Sequence, residues 1–428
     1  MRIRTMLLVV ALSAQPAAGQ NSLDRARALR DSGELTAAAA VVEAHLRTHP
    51  DDAEALFLLA TIDYWSGRVK RAREGLGRVL EIDPDHEGAA ATLHEIRSAY
   101  SPWIRLDPSG GRDTQALVRA GLSGEAGLFI TPGLTLDGRA SWIRFAWSDS
   151  SAHVATGDVG LRATVAGPLA LELRAGLANW SGPAITRFTA RGAATLRLGA
   201  HTSAEFSAER LPYLHTTASI ATAVLPTRFQ LRVGLDHASG WMGEAAGRSD
   251  RFGDGNAVHS VWAWLLAPIV SDEASGFRAG WHVGYQDAGQ SRYTSVAGAS
   301  SDGAGTLPGR YVPYHTPERT FTHGPAGALA LWPNGSVALF ANASWGLHAA
   351  EDAPFFFPAD TLPDSPINRG EYRRSFHPLE ARATLRLRAG PRTSLFLEST
   401  HRRTAFYDDT RFRSGVLVVF LPPPPGSR

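Results

Sequence analysis

From about Pro102 onward, apolar side chains occupy every second position, in runs of 9–12 residues. In residues 168–179, Leu169, Leu171, Leu173, Ala175 and Leu177 alternate with Glu172, Arg174 and Gly176. In residues 186–198, Phe188, Ala190, Ala194, Leu196 and Leu198 alternate with Arg187, Thr189, Arg191, Thr195 and Arg197. Residues 227–236 set Phe229, Leu231, Val233 and Leu235 against Arg228, Gln230, Arg232 and Asp236. Residues 379–389 set Leu379, Ala381, Ala383, Leu385, Leu387 and Ala389 against Glu380, Arg382, Thr384, Arg386 and Arg388. A period of two puts one face of each strand in an apolar phase and the other in water. Strands of soluble sheets are usually shorter, about 5–6 residues. Runs of this length suit strands that cross a bilayer at a tilt. An open sheet there would strand backbone N–H and C=O groups in hydrocarbon at several kcal/mol each, so the strands must close into a barrel.

Connections of two kinds separate the runs. Thr131-Pro132-Gly133, Ala166-Gly167-Pro168, Pro333-Asn334-Gly335 and Ala389-Gly390-Pro391 carry tight-turn chemistry. Long polar connections are expected at 243–255, 288–309 and 349–372. Short turns on one side and long loops on the other is the outer-membrane pattern. Trp142, Phe145, Trp147, Trp180, Trp241, Trp262, Trp264, Trp281, Trp332 and Trp345 are expected in interfacial girdles. The count from Pro102 to Leu421 is 14 to 16 strands, and 16 is the even number that best fits the length. The last strand aligns Phe412, Ser414, Val416, Val418 and Phe420 on one face, and prolines 422–425 end it. Such a terminus suits recognition by a barrel-assembly machinery.

Residues 21–100 follow a different period. His49-Pro50-Asp51-Asp52-Ala53-Glu54-Ala55-Leu56 recurs as Asp83-Pro84-Asp85-His86-Glu87-Gly88-Ala89-Ala90, an offset of 34 shared by Gly33 with Gly67 and Leu46 with Leu80. A 34-residue period with Pro at each boundary is the tetratricopeptide signature. Gly33, Pro50, Leu56, Trp65, Gly67, Leu80 and Pro84 carry the motif, with Leu56, Leu59, Ala60, Ile62 and Asp63 expected as one helical face and Val69, Ala72, Leu76 and Leu80 as the next. About two repeats and a capping helix are expected, with a periplasmic protein as partner. Ahead of them, Arg2 and Arg4, the apolar run 6–14 and Ala17-Ala18-Gly19 read as a signal peptide over 1–19. The fold class is therefore α plus membrane β: a leader (1–19), a helical repeat segment (21–100), an antiparallel transmembrane β-barrel of about 16 strands (101–421) and a Pro-rich tail (422–428).

Composition narrows the function. A formal charge of +2 gives no reason to expect nucleic acid, and the chain has no cysteine. His94-Glu95 lacks the second histidine of a zinc helix, and Gly303, Gly305 and Gly309 lack a strand–helix context for a nucleotide. Asp250, Asp254 and Asn256 depart from calcium-loop spacing. His259-Ser260 would be the pair to test for a barrel lipase, but no acidic partner is evident. No catalytic residue, metal or cofactor is expected.

Asp63-Tyr64-Trp65-Ser66-Gly67-Arg68 resembles the short repeat region of the YaiO-type barrels. Ser101-Pro102-Trp103-Ile104-Arg105, with 110–113 and 128–132, resembles the barrel entry of that type and of the cellulose synthase outer-membrane subunit. Gly309-Arg310-Tyr311-Val312-Pro313-Tyr314-His315-Thr316-Pro317 is similar to a segment late in the cellulose subunit's barrel. The resemblance implies a bacterial outer-membrane location, the repeat segment in the periplasm and a role in polysaccharide export. The repeat array is much shorter than the cellulose subunit's, which favours the YaiO type. The expected lumen lining is Arg139, Glu172, Arg174, Arg187, Arg191, Arg232, Asp236, Glu380, Arg382, Arg386 and Arg388. Two readings of it stand open: a polar path for sugar chains, or paired charges that merely solvate the interior. The rival functions are a general porin or solute-uptake channel, a barrel enzyme acting on lipid, and a structural protein with a plugged lumen.

Overall fold

The computed structural model describes residues 18–272, 274–296, 306–360, 366–390 and 392–420. The leader and the Pro-rich tail fall almost wholly outside the described residues. The chain divides into two units, one ending at Tyr100 and the other running from Ser101 to Leu421.

The first unit is five helices: α1 (Ala18–Asp31), α2 (Leu35–Leu46), α3 (Ala53–Trp65), α4 (Val69–Ile82) and α5 (Glu87–Ala99). Gly33 and Gly67 end α1 and α3 with φ of +85° and +77°, backbone conformations that a side chain would strain. Asp52 caps α3 by accepting from the Ala55 N–H at 3.1 Å. Helix α3 is the middle of the stack. Ala55, Leu58 and Ile62 join a core with α1 and α2, while Ala60 joins a second with α4 and α5. The centre of the α3 face is thus Ala55, Leu58 and Ile62, with Leu56 and Leu59 at its edges; on α4 Val79 is buried and Leu80 only partly. Asp63 is buried and is held by Arg68 at 2.6 Å and Arg71 at 3.4 Å. Trp65 is exposed, with Arg30 over its ring.

The second unit is built from β1 (Trp103–Asp113), β2 (Val118–Thr131), β3 (Leu134–Trp147), β4 (Ser150–Ala166), β5 (Leu169–Trp180), β6 (Ile185–Arg197), β7 (Thr202–Arg210), β8 (Thr227–Asp236), β9 (Met242–Arg251), β10 (Ala257–Ser271) and β11 (Ser275–Ala288). It continues through β12 (Tyr293–Ser295), β13 (Gly309–Tyr311), β14 (Thr320–Leu331), β15 (Val337–Trp345), β16 (His348–Pro358), β17 (Ile367–Phe376), β18 (Leu379–Arg388), β19 (Thr393–Arg403) and β20 (Asp408–Val419). A five-residue helix, α6 (Thr217–Ala221), lies between β7 and β8.

Antiparallel neighbours run in sequence from β1 to β11, then through β14, β15, β18, β19 and β20, and β20 pairs back with β1. The result is a closed antiparallel barrel of sixteen strands with an N-terminal tetratricopeptide segment. The closing seam runs from Trp103↔Val419 to Asp113↔Asp409, and the Phe420 N–H extends it to the Pro102 carbonyl at 2.8 Å. Hairpin β12–β13 and hairpin β16–β17 are excursions from the ring.

Turns and loops segregate by end. One end holds 132–133, 167–168, 198–201, 237–241, 272–274, 332–336 and 389–392, together with the start of β1. The opposite end holds 211–226, 289–292, 312–319, 346–347 and 377–378, with shorter links and the hairpins β12–β13 and β16–β17 between. The expected long connection at 243–255 is not one. Most of it is β9, whose outward positions Gly243, Ala245, Gly247 and Ser249 are too small to show hydrophobic alternation.

Outside, the barrel is greasy. Leu171, Leu173 and Leu177 on β5, Leu231 and Val233 on β8, and Phe412 and Phe420 at the seam are exposed large apolar side chains. They alternate with inward polar residues, so the outer wall forms a continuous apolar surface suited to lipid. No described helix is long and apolar enough to cross a membrane.

Candidate functional site

The inner wall has three parts. Around β2 to β9 most of the inward charges are paired. Arg174 lies at the centre, its side chain 5% exposed, with Asp137 at 2.6 Å (1% exposed) and Asp158 at 2.5 Å. Gly160 faces Arg174 across the β4–β5 ladder, and a Cβ on it would meet the guanidinium at 2.4 Å. Glycine is therefore what lets the arginine lie flat there. Arg139 reaches Glu125 at 3.3 Å, Glu172 reaches Arg191 at 3.6 Å, and Arg191 reaches Glu209 at 2.6 Å. Arg228 joins Glu209 to Asp250, and Arg232 sits 3.5 Å from Glu244.

Around β11 to β1 the balance is lost. A cavity of about 730 Å³ at the short-turn end is lined by Arg105, Arg278, Arg382, Arg386, Arg388 and Arg413, with Glu398 as its only acid. Arg382 bonds Glu398 at 2.5 Å, Arg386 stacks over Phe340, and Arg105 and Arg413 both stack over Phe396. Cation–π contact holds Arg386 in place without neutralising it, whereas Arg105 is also bonded to Asp107 at 2.9 Å and Arg413 lies 3.9 Å from Glu398.

The opposite end is filled by loops. Ile220 of α6 is fully buried among Phe145, Val154, Ala178 and Trp180 of the β3–β5 wall. From the same loop, His215 meets Arg411 of β20 at 3.4 Å. β20 lies half-way round the ring from β7 and β8, so this loop crosses the bore. Residues 312–319 meet it: Thr216 donates to the Pro313 carbonyl, and the His315 N–H donates to the Tyr213 hydroxyl at 3.4 Å. Tyr314 stacks on Phe252 with ring centroids 3.5 Å apart, and Asp254 binds both the Tyr314 hydroxyl at 2.8 Å and Arg292 at 2.7 Å. Although burial opposes ionisation of Asp254, these bonds and the Asn256 N–H hold its carboxyl below the usual range. Phe406 of the 404–407 turn packs on Tyr311 and His315, under Arg374. Burial, reinforced by Arg411, Arg119, Arg402 and Arg228, pushes His215 down to about 3; burial, with Arg402 and Arg374, pushes His315 down to about 4.

The sequence candidates divide accordingly. Arg139, Glu172, Arg174, Arg191 and Arg232 belong to the paired wall. Arg382, Arg386 and Arg388 line the basic cavity. Arg187 lies across from the buried, inward Ala178 on the inner face. Asp236 and Glu380 are exposed, with no ion pair among the described residues. In the closing strand Phe412, Val416, Val418 and Phe420 share the outer face, opposite Arg411 and Arg413.

Several expectations need correction. Phe145 and Trp180 are not girdle aromatics; they are buried inside, under α6. Trp147 packs with them, and Trp262 points inward to donate to Glu244 at 2.9 Å, with Trp264 on the same face. Trp142, Trp241, Trp281, Trp332 and Trp345 remain exposed. His259 is exposed while its neighbour Ser260 is buried on the other face of β10, so the two cannot act as a pair. Asp250 and Asp254 are committed to arginines and Tyr314, and no metal-holding group occurs among the described residues. Sequence reasoning missed Arg105, Arg278, Arg413, Phe340 and Phe396, and all of the loop packing. The first three could have been found as the polar complement of each strand's apolar register.

Such a wall and such an end define a membrane-type barrel with an asymmetric lumen: charged and open at the turn end, loop-filled at the other. Residues 29–95 match the tetratricopeptide repeat model. No curated protein matches the chain. Among solved structures, one described as a bacterial polysaccharide outer membrane secretin superposes with a TM-score of 0.53 at 12% identity, covering 75% of this chain and 99% of that one. OpdK of Pseudomonas aeruginosa, solved with vanillate, covers 75% and 98% at 12% identity with a TM-score of 0.38.

Proposed function

We propose that this chain spans the bacterial outer membrane and serves exopolysaccharide export or surface assembly, as an exit path or its accessory. The observation that carries the reading is the lumen: arginines in excess of the acids beside them, with aromatics, at the turn end, and a loop-filled opposite end. A general porin would need a standing bore, and packed loops that cross it argue against one. The shared fold with a polysaccharide outer membrane secretin supports the reading. β1 begins at the short-turn end, which supports a periplasmic repeat segment. There the repeats would hold a periplasmic protein, and the closing strand would be read by the barrel-assembly machinery. The chain is proposed to carry no enzyme activity; the YaiO-type affiliation is part of the same reading.

Deletion of the gene is the test. Surface and secreted polysaccharide should fall and return on complementation. Purified protein in planar bilayers should show no standing conductance at neutral pH. Steady porin-like conductance with unchanged polysaccharide would overturn the proposal.

A further inference from the structure

The basic cavity differs from the rest of the inner wall in a way that names a ligand. Arg174 is neutralised by two aspartates within 2.6 Å, Arg191 by glutamates, and Arg228 by Asp250. In the cavity, Arg278, Arg386 and Arg388 have no carboxylate partner among the described residues. Arg278 is aimed by its bond to the Gly240 carbonyl at 2.8 Å, and Arg386 by Phe340. Arg105 and Arg413 share the face of Phe396. A barrel that needed only solvation has no reason to gather unpaired arginines at one cavity.

We infer that this cavity is a binding site for an anionic glycan, a sugar chain bearing carboxylates. The inference rests on the export reading and supplies its substrate class. Arg386 and Arg388 lie two residues apart on β18, so they stand about 7 Å apart along one face. Arg382 continues the row, its charge shared with Glu398. A row of charges suits an extended chain with repeated carboxylates better than one small anion. Guanidinium meets carboxylate through paired N–H donors, and Phe340 and Phe396 hold the guanidiniums that stack on them in place to do so. The volume, about 730 Å³, is that of a ligand site rather than a packing defect. A chain entering from the short-turn end would meet this cavity first and the packed loops second.

The test is titration of the detergent-solubilised full chain with oligogalacturonate, against cello-oligosaccharide (neutral), chitosan oligomer (cationic) and inorganic phosphate. Binding should be selective for oligogalacturonate and weaken as salt rises. Arg386→Gln with Arg388→Gln should weaken it about tenfold or more, the loss of a charge-assisted bond or two. An unheated-versus-boiled gel shift shows that the variant barrel is folded, and Arg278→Gln gives an independent second variant. Equal affinity for the neutral chain, full displacement by phosphate at the same concentration, or unchanged affinity in both variants would overturn the site. Selective binding in a chain whose deletion leaves polysaccharide untouched would sink export and keep the site. Loss of polysaccharide without selective binding would do the reverse.

Discussion

Replacing Arg174 with methionine is the sharpest probe of the inner wall. The guanidinium gives Asp137 a bond of 2.6 Å and Asp158 bonds of 2.7 and 2.5 Å. Asp158 is 23% exposed and can recover water, but Asp137 is 1% exposed and cannot. Arg139, 3.9 Å from Asp137, offers only partial compensation. Removing one partner of a buried pair costs about 3–5 kcal/mol, so Arg174→Met should cost about 3 kcal/mol. Adding Asp137→Asn removes the stranded charge and should return at least half of that loss. The assay is urea unfolding in detergent micelles followed by tryptophan fluorescence, with the slope checked for constancy. A single variant within about 1 kcal/mol of the parent, or a double variant no better than the single, would refute the reasoning.

Three further outcomes follow from the same structure. Leu173→Arg puts a charge on the lipid face and should cost about 2–4 kcal/mol, read as a lower yield of heat-modifiable barrel in membranes; a normal yield counts against a lipid-facing Leu173. His215 and His315 stay uncharged in the packed loops, so closure is at full strength above pH 6.5 and weakens as pH falls from there toward 4. At pH 5 each contributes roughly 2 kcal/mol toward opening, and bilayer conductance should appear on acidification and be lost in His215→Gln with His315→Gln. Leu58→Ala opens a cavity in the first helical core at a cost of about 2–5 kcal/mol, and limited proteolysis of the full chain should then cut within 18–100 while the barrel fragment survives.

The alternation in β5, β6, β8 and β18 made the strands legible because each has leucines or phenylalanines on one face and arginines on the other. The repeat was legible because the Pro and Gly positions recur at one offset. β9 was hidden because its outer face is Gly, Ala and Ser, which carry no hydrophobic contrast. Trp180 and Phe145 were misplaced because both faces of their strands are apolar near the loop end: lipid outside, α6 inside. That second apolar surface comes from Ile220, 40 positions from Trp180 and 75 from Phe145 in sequence, and no local period reports it. The basic cavity was half visible. Arg382, Arg386 and Arg388 share one strand, but Arg105, Arg278 and Arg413 join them only once the ring closes.

Because the chain has no cysteine, single cysteines can be spin-labelled one at a time along β5 in liposomes. Collision with oxygen, which partitions into lipid, should peak at positions 171 and 173, and collision with a water-soluble nickel chelate at the inward, partly exposed positions 170 and 172. A two-residue oscillation of the two signals in opposite phase is the expected result. Signals in phase, or with no oscillation, would contradict a barrel that faces lipid outside and water within.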